Sequence, residues 1–214
     1  IHIRNEKEIQ KISKACQIVK ETLELIEELI HPGITPLELD AYAEQFIKSK
    51  GAKPGFKGLY GYPATLCVSI DDEVVHGIPN GRELKEGEIV SIDVGSLFDG
   101  YFGDHAKSFL VGKAAESKKE QLIMITYECL MDAIEQAIPG NRIGDIGYAV
   151  QKKAELHGFG VVRELVGHGI GTKLHEDPQI PNFGNPGTGP KIEKGMCFAI
   201  DPMINMGVPD VYTK

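Results

Sequence analysis

The sequence predicts an α+β protein built from two pseudo-symmetric α-α-β-β halves around one antiparallel sheet, and two observations carry that prediction. The first is a hairpin. Ile89-Val90-Ser91-Ile92-Asp93-Val94-Gly95 and Tyr101-Phe102-Gly103-Asp104-His105-Ala106 are strand-like runs joined through Asp99-Gly100. That dipeptide accepts the positive φ angles of a tight hairpin turn. The second is an internal repeat. Pro32-Gly33 and Pro139-Gly140 each close a first helix, Tyr42-Ala43 returns as Tyr148-Ala149, and Gly51 returns as Gly158. The segment from Leu84 to Asp93 returns as Ile192 to Asp201, and the offset drifts only from 106 to 108 residues. Order, spacing and element type all agree, as they do when one supersecondary unit is used twice. Helices covering the outer face of the shared sheet complete the expected layers. Residues 1–214 then form one domain, with halves at about 1–110 and 111–214.

Each element has a local cause. Asn5-Glu6-Lys7-Glu8 reads as a capping box, and Ile9, Ile12, Cys16, Val19, Leu23, Ile26 and Ile30 follow at helical spacing. His31-Pro32-Gly33 stops that helix. Thr35-Pro36-Leu37-Glu38 starts the next, with proline at the first helical position, and Gly51 ends it. Residues 53–61 form a loop, Thr65 to Ile70 a strand, Asp71-Asp72-Glu73 a turn and Val74 to Pro79 a short return strand. After the hairpin, Ser117 caps a helix through about Ile138, and a further helix covers about Ile143 to His157. Short strands and turns follow from Val161.

Composition narrows the function. A chain of 214 residues with 42% hydrophobic and 25% charged residues can bury a core of ordinary size. A net charge of −8 with no basic run argues against nucleic acid and against anionic membrane surfaces as partners. No apolar run approaches a membrane span, and no secretory signal opens the chain. Cys16, Cys67, Cys129 and Cys197 form no C-x-x-C pair. That pattern fits a reducing cytoplasm better than a disulfide framework or a zinc knuckle.

The chemistry is carried by carboxylates and histidines. Asp93 and Asp104 stand at nearly mirror-related distances from the turn, so they fall almost opposite each other on one sheet face. Two carboxylates that close repel and resist desolvation, which calls for a cation between them. The competing reading is two solvated aspartates on an edge hairpin. The repeat brings Asp201 to the same centre, facing Asp93. Val166-Gly167-His168-Gly169-Ile170-Gly171 lets a histidine reach inward between glycines, His175-Glu176-Asp177-Pro178 follows, and His76 sits in another glycine turn. Oxygen ligands joined by one nitrogen suit Mn, Fe, Co or Zn. Taken alone, His168 reads more readily as a loop histidine than as a ligand, and His76 and His175 have the competing reading of turn-stabilising hydrogen bonds.

These segments resemble a family. Leu66-Cys67-Val68-Ser69-Ile70 running on to Val75-His76-Gly77-Ile78-Pro79 is similar to methionine aminopeptidase. So are Ile92-Asp93-Val94-Gly95, Gly103-Asp104, the His168 and His175 segments, and Ile200-Asp201-Pro202-Met203. The short approach to the first helix and the spacing from His168 to Asp201 resemble the type I branch. The resemblance implies the pita-bread (creatinase-like) fold and removal of initiator methionine from nascent polypeptides by a hydroxide activated at two divalent metal ions. Asp93, Asp104, His168 and Asp201 would be metal ligands, with Asp104 bridging. His76 and His175 would be catalytic, on the scissile amide and the oxyanion. Phe56, Leu59, Tyr62, Cys67, His76 and Leu174 would form the methionine pocket. The family carries glutamate where this chain has Asp201. A last bridging glutamate, expected beyond a segment like Thr213-Lys214, falls outside the sequence, so the chain reads as C-terminally shortened. The alternatives are a homologue that binds peptides or partners without turnover, or another pita-bread exopeptidase. A peptide or nascent-chain N-terminus is the expected substrate, met at the ribosome by a cytoplasmic monomer.

Overall fold

The computed structural model describes residues 1–112 and 117–213. The expected boundary between the halves, about 110/111, falls on described residues; Lys214, in the segment matched to the family's threonine-lysine pair, lies outside them. The chain divides into two compact units, one of Glu6–Ala115 with Gly171–Leu174, the other of Ile1–Asn5, Glu116–Ile170 and His175–Lys214.

In the unit that begins at Glu6, helix α1 (Glu6–Leu29) starts directly after Asn5. Its buried face is Ile12, Ala15, Ile18, Val19, Leu23 and Ile26. Ile9 is exposed and Cys16 only half-buried, so the apolar stripe runs one position away from the expected one at those sites. Helix α2 (Pro36–Ser49) opens with the expected capping box. The Thr35 hydroxyl accepts from Glu38 N, and the Glu38 carboxylate accepts from Thr35 N at 2.9 Å. Gly51 leaves the helix at φ +75°, a conformation that suits glycine.

Four antiparallel strands follow: β1 (Lys53–Pro54), β2 (Leu66–Ile70), β3 (Ile89–Phe98) and β4 (Tyr101–Leu110). A 3-10 turn, Leu59–Gly61, lies between the first two. Strand β3 is central, with β4 along one edge and β2 and then β1 along the other. The hairpin turn is Asp99-Gly100, at φ +48° and +81°, the two positive angles of a type I′ turn. Side chains alternate along a strand, so Leu66, Val68, Ile70, Val90, Ile92 and Val94 face α1 and α2 in one core cluster. The helix lies close because β4 carries glycine beneath it: a Cβ on Gly103 would stand 2.4 Å from the backbone carbon of Ala15. Beside it, Ser96 Oγ donates to Ala15 O at 3.0 Å.

The expected return strand over Val74 to Pro79 does not form. One backbone bond, Val68 N to Gly77 O at 2.8 Å, ties this segment to β2. The left-handed backbone at His76 (φ +62°) breaks the extended run there.

In the other unit, α3 (Lys118–Gln136) is capped by Ser117, whose hydroxyl accepts from Glu120 N at 3.2 Å. Helix α4 is Ile143–Leu156. Ile125, Cys129 and Ala133 of α3 share a buried cluster with Ile146, Val150 and Ala154 of α4. The strands are short, as expected from Val161 onward: β5 (Gly160–Val161), β6 (Gly167–Gly169), β7 (Glu176–Ile180), β8 (Phe198–Ala199) and β9 (Ile204–Asn205). They pair antiparallel as β7-β6-β8 and β5-β9.

Candidate active site

The register of the hairpin fixes the first pair of carboxylates. Asp104 pairs with Gly95, and Asp93 pairs with Ala106 on β4 and with Cys67 on β2. Asp93 and Asp104 therefore share the face opposite the α1–α2 core, as a diagonal pair about 7 Å apart at the backbone. They are one step off the facing arrangement expected from their distances to the turn. Glycine beside them leaves room: a Cβ on Gly95 would fall 2.5 Å from Cε1 of Phe56. The Phe56 ring thus lies over Gly95, next to the carboxylates.

Phe56, Leu59, Tyr62, Cys67, His76 and Leu174 all belong to this unit, although Leu174 is distant in sequence. Its segment is attached where Phe102 N donates to Gly171 O at 2.8 Å. Phe56, Cys67 and Leu174 are buried, Leu59 and Tyr62 half-buried, and His76 exposed. Burial, then the neighbouring Asp93 charge, pushes the Cys67 thiol up to about 12, so it is a neutral apolar wall at ordinary pH. Burial and the adjacent Cys67 raise the Tyr62 hydroxyl well above its usual range. That hydroxyl lies 2.9 Å from Leu66 O and 3.0 Å from Gly77 O, shared as a donor between them.

His76 holds φ +62°, which costs about 1–2 kcal/mol for a residue with a Cβ. Such strain persists only where the surroundings over-determine it. Gly77 supplies that restraint. Its N–H donates to Ser69 Oγ at 3.1 Å, its carbonyl accepts from Val68 N, and a Cβ there would stand 2.1 Å from Val68 O.

The other unit holds the histidines. His168 sits on β6 between β7 and β8, and its flanking glycines are what let three strands close on it. A Cβ on Gly167 would meet Ala199 O at 2.5 Å, and one on Gly169 would meet Asp177 O at 2.3 Å. His168 Nδ1 lies 2.9 Å from its neighbour's carbonyl, Gly169 O. A carbonyl only accepts, so Nδ1 is the donor there, and Nε2 stands 3.9 Å from Asp201 Oδ2. The His168 and His175 rings meet edge-on, centroids 4.5 Å apart. Glu176, just after His175, is held by a nearly buried ion pair with Arg4.

This donor chemistry fits a divalent cation. A histidine whose Nδ1 bonds a backbone carbonyl and whose Nε2 turns toward a carboxylate is oriented as metal-ligating histidines are. Among the described residues no three His, Cys, Asp or Glu side chains group as a metal cage; the ligand types come as pairs, Asp93 with Asp104 and His168 with Asp201. Two supporting residues escaped sequence reasoning. Asn182, buried, donates to Asp201 O at 2.7 Å, and Ser69 holds Gly77. Both are ordinary polar residues whose partners lie far along the chain or across an irregular turn, so spacing gave no signal for either.

Comparison with known proteins accords with this geometry. The profile of metallopeptidase family M24 matches residues 10–212. The methionine aminopeptidase of Clostridium perfringens is 52% identical over 207 residues, covering 97% of this chain and 83% of that protein. The crystal structure of the Thermotoga maritima methionine aminopeptidase superposes with a TM-score of 0.97 at 43% identity, over 100% of this chain and 86% of that one. The prolidase of Pyrococcus furiosus superposes with a TM-score of 0.81 at 27% identity, over 94% of this chain and 57% of that one.

Proposed function

This chain belongs to metallopeptidase family M24, with its pita-bread fold, and from that premise we propose that it removes initiator methionine from new polypeptides as a metallo-aminopeptidase. The observation that carries the reading is the placing of His168, with Nδ1 2.9 Å from Gly169 O and Nε2 3.9 Å from Asp201 Oδ2.

Asp93, Asp104, His168 and Asp201 are the residues we assign to hold two divalent ions, of the Mn, Fe, Co or Zn class. Bound there, such ions supply Lewis acidity and a nucleophile at neutral pH. The protein's own groups do the rest. His175, exposed and beside His168, donates to the oxygen that gains charge at the scissile carbonyl. His76 donates to the scissile amide and fixes its orientation. The walls of Phe56, Tyr62, Cys67 and Leu174 surround an unbranched side chain, and methionine's thioether adapts to such a slot. The carboxylates lie beside two of those walls, because Cys67 pairs with Asp93 and Phe56 covers Gly95.

In this reading the substrate is a free peptide N-terminus, met on the nascent chain at the ribosome by a cytoplasmic monomer. Among the described residues no helix is long and apolar enough to cross a membrane. The test is turnover of a Met-Ala-Ser peptide by the dialysed chain with Co²⁺ or Mn²⁺ restored. Metal-dependent release of methionine is expected. Binding without release, or release only from Xaa-Pro peptides, refutes the assignment.

A further inference from the structure

We propose that Ser69, together with the Tyr62 hydroxyl, is a positioning residue for His76. The inference rests on the reading of His76 as a catalytic group. His76 is exposed, lies outside any strand and holds a left-handed backbone, so nothing in its own local sequence keeps its imidazole in one place. The next residue is fixed at both of its polar backbone atoms. Gly77 N donates to the Ser69 hydroxyl at 3.1 Å, and Gly77 O accepts from Val68 N at 2.8 Å and from Tyr62 Oη at 3.0 Å.

Ser69 is only 3% exposed and stands on β2, in register with Ser91 and two positions from Cys67, the partner of Asp93. The strand that builds the aspartate face therefore also sets the distance to His76. A serine suits the position because it supplies an acceptor at that edge with little bulk. Val68 and Gly77 approach so closely that no side chain fits between them. The Tyr62 hydroxyl bridges Leu66 O and Gly77 O, so it couples the wall of the proposed pocket to the same turn. Removal of the Ser69 oxygen frees one end of Gly77, and His76 can then leave its left-handed conformation.

Misplacement of a catalytic group by about an ångström costs about 100-fold in rate. Ser69→Ala is therefore expected to lower kcat by about 10–100-fold with KM for a Met-Ala-Ser peptide and metal content nearly unchanged. Ser69→Thr, which keeps the hydroxyl, is expected to restore most of it. The decisive measurement is kcat of the metal-loaded full chain in a cycle of wild type, Ser69→Ala, His76→Ala and the double variant. If Ser69 acts through His76, the double variant is no slower than His76→Ala. A double variant slowed by the product of the two single effects overturns the positioning role while leaving His76 catalytic. An ordinary kcat for His76→Ala overturns the catalytic reading of His76, and the proposal with it. Circular dichroism melting of each variant guards against misfolding. If Ser69→Ala folds poorly, Tyr62→Phe, which removes the other hydroxyl bound to Gly77, carries the same cycle.

Discussion

His168 Nε2 stands 3.9 Å from Asp201 Oδ2 while His168 Nδ1 is engaged with Gly169 O. In the proposed site His168 Nε2 and the Asp201 carboxylate would ligate one cation. His168→Ala and Asp201→Ala are each expected to weaken Co²⁺ or Mn²⁺ binding by at least about 100-fold, read by titration calorimetry. Asn182→Ala, which releases the Asp201 carbonyl, should weaken it by about tenfold. Unchanged affinity in the two ligand variants would remove the metal assignment.

The Phe56 ring occupies the space a side chain at 95 would need. Gly95→Ala is expected to push that ring aside, at a cost of about 1–3 kcal/mol in stability, and to raise KM for methionine substrates. Urea denaturation and steady-state kinetics measure the two effects. A variant as stable and as active as the parent would show that Phe56 yields freely and does not shape the pocket.

Cys67 and Cys129 are both held near 12 from an ordinary value of 9.0, Cys67 by burial and then Asp93, Cys129 by burial and then Asp132. The folded chain keeps protons that the unfolded chain releases above about pH 9. Their contribution to stability is therefore whole below that pH and is lost as pH rises toward about 12. The urea midpoint should fall between about pH 8 and pH 10.5, and Cys67→Ala with Cys129→Ala should flatten that fall.

Selectivity should follow the Cys67 wall. Cys67→Ala enlarges the slot beside Asp93 without removing a ligand, so metal content should hold while the ratio of kcat/KM for methionine over leucine falls about tenfold. A constant ratio would return Cys67 to the ordinary core.

The sequence by itself determined the local matters: the Asp99-Gly100 hairpin, the Thr35 capping box, the helix stops at Gly33 and Gly51, and the residue types of a metal site. Those are set by φ preferences and by side chains a few positions apart. The repeat of Leu84 to Asp93 as Ile192 to Asp201 is likewise legible in the sequence. Tertiary structure decided what depends on register and distant packing. Asp93 and Asp104 are diagonal because β3 pairs Gly95, not Asp93, with Asp104. Val74 to Pro79 is a strapped turn rather than a strand, since Gly77 is held by Tyr62, Val68 and Ser69. The alternation of apolar residues identified the buried side of each strand, but only the folded pairing could put Phe56 over Gly95 and Cys67 beside Asp93. Such contacts join residues far apart in sequence, and no local preference encodes which of many compatible partners will meet.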